Sequence, residues 1–240
     1  MSQSVIARIV AKFRQTEEKL DHFDTIRRSS HDAVALQILA PLSNIYQPWN
    51  PSAIRPSALV KILNEIVLNR RSCIVECGGG ISTVYIAQAL KQQHKGHLYT
   101  IEDNLNWIEI LKSLLEEQGL SEYVTIIPAP LVTCQFSLEN NLWYDLSVFR
   151  SHIEPRTIDL LLIDGPPAYD RSRRLSRYPA LPMLRDFLAP NLTIILDDIN
   201  RSGEAEILVK WANEFGLTFE KHLYDGDIAI ARTQNGYRVA

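Results

Sequence analysis

Between Ser57 and Arg232 the chain alternates short apolar runs with longer amphipathic ones, and that alternation leaves few folds open. The runs are "CIVECG", "STVYIAQALKQQ", "HLYTIED", "NWIEILKSLLEEQG" and "VTIIPAP", then, after an insertion over 131–157, "IDLLLIDG", "YPALPMLRDFL", "LTIILDDI", "GEAEILVKWANEFG", "LTFEKHLYD" and "IAIAR". Strands almost continuous in Val, Ile and Leu are covered on both faces, and strands separated by helices run parallel. The pattern predicts an α/β chain with a doubly wound, seven-stranded, mostly parallel sheet. Only "DGD", Asp225 to Asp227, separates the last two runs, too little for a crossover, so they pair as an antiparallel hairpin.

The first 55 residues have a different texture. Val5, Ile9, Phe13, Thr16 and Leu20 recur at helical spacing, "HDAVALQILAPL" suggests a second short helix, and the proline-rich "QPWNPSAIRP" reads as a loop. Leu59, Ile62, Leu63, Ile66 and Val67 then form one apolar stripe of a helix ending at "NRR". The expected organisation is a helical extension over 1–55, serving as a lid or a homodimer contact, and one domain over 56–240. A net charge of −3 gives no electrostatic footprint for nucleic acid. Three cysteines without metal-finger spacing, Cys73, Cys77 and Cys134, fit packed thiols in a reducing, cytoplasmic setting. No segment reads as a signal peptide or a membrane span, so no membrane partner is expected.

In a doubly wound sheet ligands bind outside the carboxyl ends of the strands, where strand order reverses. The residues at those ends are Glu76 to Gly80, Glu102 with Asp103, Ala129 with Pro130, Asp164 to Pro167, and Asp197 with Asp198. Gly78, Gly79 and Gly80 between a strand and a helix imply unusual dihedrals or a ligand lying close to the backbone. A dinucleotide fingerprint needs G-x-G-x-x-G, but here Thr83 replaces the third glycine. Glu76, two residues before the first glycine, would repel a pyrophosphate and attract an amino group or other cation.

The stretches "VECGGGIST", "YTIEDN", "IDLLLIDGPP" and "IILDDINR" resemble, in order and spacing, the motifs of the class I S-adenosylmethionine-dependent methyltransferases, over roughly residues 57–232. Within that class "IDGPPAYDRSRRLSRYPALPML" followed by "LDD" is similar to a bacterial branch near the catechol O-methyltransferase-like group. The resemblance implies a Rossmann-like fold and S-adenosylmethionine as cofactor. Glu76 would hold its amino-acid end directly or through water, Gly78, Gly79 and Gly80 with Ser82 and Thr83 would face its methionine part, and Glu102 with Asp103 would take the ribose hydroxyls. Ala129 would lie against adenine, and Asp164 would flank the methyl group as catalytic base.

The same resemblance implies a metal. Asp164, Asp197 and Asp198 stand where the catechol O-methyltransferase-like enzymes place Asp, Asp and Asn around a divalent cation such as magnesium, and adjacent carboxylates in any case need a cation or a shared proton. The departure at Asp198, and the missing lysine after "DGPP", leave three roles open: metal ligands, a lone base at Asp164, or a capped structural cluster. Arg171, Arg173, Arg174 and Arg177 would clamp an anionic acceptor or simply form a solvated helix face. Trp143, Tyr144 and Asp145 would wall the acceptor pocket or belong to the core, and His152 is a second candidate base. The reading is a methyltransferase acting on an oxygen of a small molecule. Its rivals are a non-catalytic S-adenosylmethionine-binding protein, an aminopropyltransferase and an NAD-dependent dehydrogenase.

Overall fold

Cys73–Cys77 forms β1, whose last four residues are buried, and it pairs in parallel with β2 (His97–Glu102) on one side and β4 (Ile158–Ile163) on the other. The computed structural model describes residues 3–43, 45–50, 52–234 and 236–237, with side chains described from residue 19 onward. β3 (Val124–Pro128) extends the sheet beyond β2, and β5 (Leu188–Leu196) lies beside β4. β6 (Phe219–His222) and β7 (Ile228–Arg232) form the expected hairpin, and β7 inserts between β5 and β6, antiparallel to both. The order is β3-β2-β1-β4-β5-β7-β6, seven strands with a single reversed member.

Alternation inside the strands shows why both faces must be covered. In β4, Ile158, Leu161 and Ile163 face one core while Leu160 and Leu162 face the other, and all five are fully buried. One core packs against α2 (Pro56–Leu68), α3 (Ile81–Gln93) and α4 (Leu105–Glu117), the other against α5 (Ala180–Leu184), α6 (Ser202–Phe215) and the 131–157 insertion. Most of the predicted stripe of α2 is buried, but Val67 is 46% exposed because it falls at the edge of the packed face.

The N-terminal segment departs from expectation. The two helices anticipated there are one continuous helix, α1 (Gln3–Leu39), followed by a single 3-10 turn. The anticipated apolar contacts of Val5, Ile9 and Phe13, like the side chain of Thr16, lie outside the described side chains, while Leu20 is 58% exposed. The described part of α1 is held by buried Ala35 and Leu39 near its end and by a set of polar bonds. Arg28 and Arg55 both donate to Asp227 Oδ2, at 2.8 and 2.9 Å, and Asp32 accepts from Arg55 Nε and from the Ser57 hydroxyl at 3.0 and 2.6 Å. Asp32 also receives the Ser57 backbone N–H, so a side chain of α1 satisfies the first turn of α2 that Arg55 cannot cap.

Register decides where chemistry can occur. Cys77 is level with Ile101 and Ile163, and Ile163 with Leu196, so Gly78, Glu102, Asp164 and Asp197 leave the sheet side by side. Strand order reverses between β1 and β4, which places Gly78 and Asp164 on the two sides of the switch point.

Candidate active site

A cleft of ≈ 370 Å³ opens at this edge, floored by Gly78, Gly79 and Gly80 and flanked by Glu102 and Asp164. Gly78 is required by the protein itself, and Gly79 sits in a tight place. Gly78 has φ +90°, and a Cβ on it would stand 2.9 Å from the Gly165 nitrogen; a Cβ on Gly79 would lie 3.0 Å from Leu111 Cδ2. Gly80 is different. Its backbone is extended, and a Cβ there would meet only Ser82 Oγ at 3.7 Å, so its small size leaves room on the cleft side.

Glu76 lies beneath this turn, fully buried, with one oxygen accepting from Ser82 Oγ and the other from Thr83 Oγ1, both at 2.5 Å. Burial pushes its carboxyl up to about 7, against the pull of the hydroxyls. Thr83 Oγ1 also accepts the Gly80 N–H at 2.9 Å, which ties the glycine turn to α3. Glu76 and Thr83 therefore shape the floor without lining the cleft. Ser82, which does line it, is the group through which Glu76 reaches the ligand space.

Glu102 stays on the wall. It accepts from the backbone N–H groups of Gly79, Asp103 and Asn104 at 3.0, 3.0 and 2.9 Å, so the ends of β1 and β2 are held by one carboxylate. Burial raises its pKa. Trp107, in the first turn of α4, donates Nε1–H to the Gly79 carbonyl at 2.7 Å, while Asn104 Oδ1 caps that helix by accepting from Trp107 N. Asp103 lines the cleft, but Ala129 does not: it is buried, its N–H on the Glu102 carbonyl at 2.9 Å.

The expected carboxylate cluster forms. Asp164, Asp197 and Asp198 offer oxygens that all lie within 4.8 Å of one another. Arg177, which the sequence left between an anion clamp and a solvated face, is inserted among them and 3% exposed. Its guanidinium donates to the Asp164 carbonyl at 2.6 Å and the Asp197 carbonyl at 3.2 Å, and pairs with the Asp164 and Asp198 carboxylates at 3.3 and 3.0 Å. Asp198 is further paired with Arg201 at 2.7 Å. Burial and mutual repulsion hold Asp197 well above the usual carboxylate range, and burial lifts Asp164 to about 7. A buried guanidinium costs several kcal/mol to desolvate, so removing one side of such a pair destabilises by about 3–5 kcal/mol. With two of the three candidate ligands already bonded to a fixed cation, these residues do not fit a metal at their common centre. No step below passes through one.

Other expectations divide. Tyr144 lines the cleft, its hydroxyl against Gly165, whereas Trp143 is entirely in the core and His152 is exposed outside the cleft. Arg174 pairs with Glu139 and Glu206 away from the floor. The loop before α2, with Pro48, Asn50 and Ile54, closes one side. Trp107, Tyr169 and Arg201 also line the cleft, and none was singled out from sequence. Trp107 had a signal: a side chain in the first turn of a helix leans back toward the strand end that precedes it.

A family profile described as "Methyltransferase domain" matches residues 75–199, from β1 through the end of β5. The chain belongs to this methyltransferase family. Solved structures agree on the class I fold. The methyltransferase is similar to a putative caffeoyl-CoA O-methyltransferase from Staphylococcus aureus (18% identity, 91% of this chain and 99% of that one, TM-score 0.54). It is also similar to an S-adenosylhomocysteine-bound methyltransferase from Podospora anserina (12%, 92% and 96%, 0.56) and to an O-methyltransferase from Bacillus cereus in complex with S-adenosylhomocysteine (18%, 85% and 90%, 0.52). No curated protein sequence matches it significantly. Among the described residues of the methyltransferase, no helix is long and apolar enough to cross a membrane.

Proposed function

We propose that the protein transfers a methyl group from S-adenosylmethionine to an oxygen of a small-molecule acceptor. The observation that carries this reading is the glycine turn set between two cleft-lining carboxylates, Glu102 and Asp164. Glu102 would take the ribose hydroxyls, with Asp103 beside it; Gly78, Gly79, Gly80 and Ser82 would face the methionine part. Bound there, the cofactor supplies an electrophilic methyl on a sulfonium. Asp164, ionised, would accept the acceptor's hydroxyl proton, and the cleft would align the resulting oxygen with the methyl carbon that the cofactor would supply, with S-adenosylhomocysteine as the leaving group. Thr83 in place of a third glycine, committed to Gly80 and Glu76, supports this cofactor over a dinucleotide.

The segment over 1–55 fits a lid, since the loop after α1 supplies Pro48, Asn50, Ser52, Ala53 and Ile54 to the cleft; the exposed Leu20, Phe23, Val34 and Ile38 of α1 make a homodimer contact the other use of the same segment. Cys73, Cys77 and Cys134 are free thiols, which suits a reducing, cytoplasmic setting. Calorimetry with S-adenosylmethionine, S-adenosylhomocysteine and NAD tests the function. Binding of the first two without NAD is the expected result, and NAD binding alone would overturn it.

A further inference from the structure

We infer that the Arg177 guanidinium is the resident cation of the Asp164–Asp197–Asp198 cluster and takes the place of a divalent metal, so that this site neither binds nor needs one. Three observations converge on it. The guanidinium reaches both strand-end loops at once, bonding to the carbonyls of Asp164 and Asp197 as well as to the Asp164 and Asp198 carboxylates. It is also only 3.7 Å from Glu204, a buried carboxylate at the start of α6 that has no hydrogen-bond partner and faces no other cation within salt-bridge range among the described residues. Finally, Asp198 carries a second arginine, Arg201, at 2.7 Å, and takes φ +61° to present itself to both.

The physical consequence is an exchange of one cation type for another. A divalent ion draws its ligands from oxygen atoms at short range and needs them free of competing cations. Here the oxygens of Asp164 and Asp198 already serve a planar guanidinium, whose fixed fork can hold two loops in one orientation. A metal in addition would sit against that positive charge in a poorly screened interior, where the repulsion is strongest. Arg177 thus positions Asp164, holding the loop that carries it through the backbone and the carboxylate through an ion pair. The claim about cation occupancy rests on this geometry alone; its consequence for turnover rests on methyl transfer as the reaction.

The test compares melting of the full chain in manganese, magnesium or calcium with melting in chelator, for wild type, Arg177→Ala and Arg177→Lys. Wild type should shift by less than about 1 °C at millimolar cation, whereas Arg177→Ala, which leaves four carboxylates around a gap, should gain about 3 °C or more, reversed by chelator. Arg177→Lys keeps one positive charge and should stay indifferent. Manganese bound by wild type, seen as a loss of the free-ion electron paramagnetic resonance signal, overturns the inference. A folded Arg177→Ala protein with no response to any cation also overturns it. If Arg177→Ala does not fold, wild type and Arg177→Lys decide: indifference in both supports the inference, and a cation response in either sinks it. Calorimetry with S-adenosylhomocysteine is run alongside, so that failure of the proposed reaction shows as lost cofactor binding without touching the cation result.

Discussion

Gly78 and Gly165 lie back to back above the switch point of the sheet: a Cβ on Gly78 would approach the Gly165 nitrogen to 2.9 Å, and one on Gly165 would run into the Tyr144 hydroxyl and into Gly78. The loops after β1 and β4 are thus packed at backbone contact, and the cleft floor is continuous across the reversal of strand order.

Alanine at either position should lower the unfolding free energy by about 2–4 kcal/mol, from overpacking and, at Gly78, from a positive φ. Gly80→Ala meets no such obstacle and should change stability by less than about 1 kcal/mol while weakening S-adenosylhomocysteine. Urea denaturation and calorimetry on the three variants separate the two effects. Equal destabilisation by all three would refute the distinction between Gly80 and its neighbours.

Glu102→Gln should weaken S-adenosylhomocysteine by about 1.5–3 kcal/mol, the range for a charge-assisted hydrogen bond. Trp107→Phe removes the bond to the Gly79 carbonyl together with part of the ring that lines the cleft, and should weaken S-adenosylhomocysteine by about 1 kcal/mol or more. Unchanged affinity in the Glu102 variant, with an intact fold by circular dichroism, removes this residue from the cofactor site.

Glu76 links pH to stability. Its carboxyl titrates near 7 in the folded chain against 4.5 as its ordinary value, so the folded state holds a proton that the unfolded state has already released. Its contribution is fully present below about pH 4.5 and is lost as pH rises through about 7. Glu76→Gln cannot titrate, and relative to wild type its unfolding free energy should improve by about 3 kcal/mol between pH 4.5 and 8. Parallel stability curves for the two proteins would mean that Glu76 is ionised throughout.

Asp164 should control turnover in the opposite sense. As a base it works only when deprotonated, so kcat/KM should rise with pH through about 7, where burial, Asp198 and Glu76 push the group up and Arg177 pulls it down. Because Asp164 and Asp197 titrate together, the midpoint belongs to the pair. Asp164→Asn should cost at least about a hundredfold in kcat with little change in S-adenosylhomocysteine affinity. A flat pH profile in wild type would assign proton removal to another group.

Much of the architecture was legible because period and composition act locally: the doubly apolar runs of β1, β4 and β5 admit only a covered sheet, and a turn too short for a crossover, read as Asp225–Asp227 and spanning 223–227 in the structure, forces β6 and β7 into a hairpin. The strand-end acids were legible for the same reason, since topology alone brings Glu102 and Asp164 to one edge. What sequence spacing did not reveal is which of several like residues turns inward. Arg171, Arg173, Arg174 and Arg177 share one chemistry, and only packing selects Arg177 for the interior. The enclosure of Glu76 was not legible, because the hydroxyls that bond it, Ser82 and Thr83, follow on the next helix. The continuity of α1 was hidden as well, because its docking face of Arg28 and Asp32 answers to Asp227 and Arg55, far along the chain.

That last contact sets an order of events. Arg28 and Asp227 are 199 residues apart, so α1 emerges from the ribosome long before this one of its two anchors exists. The Asp32 end of α1 can dock on Arg55 and Ser57 as soon as α2 exists, whereas the Arg28 contact waits for the last hairpin, so this one helix is fastened in two steps separated by most of the chain.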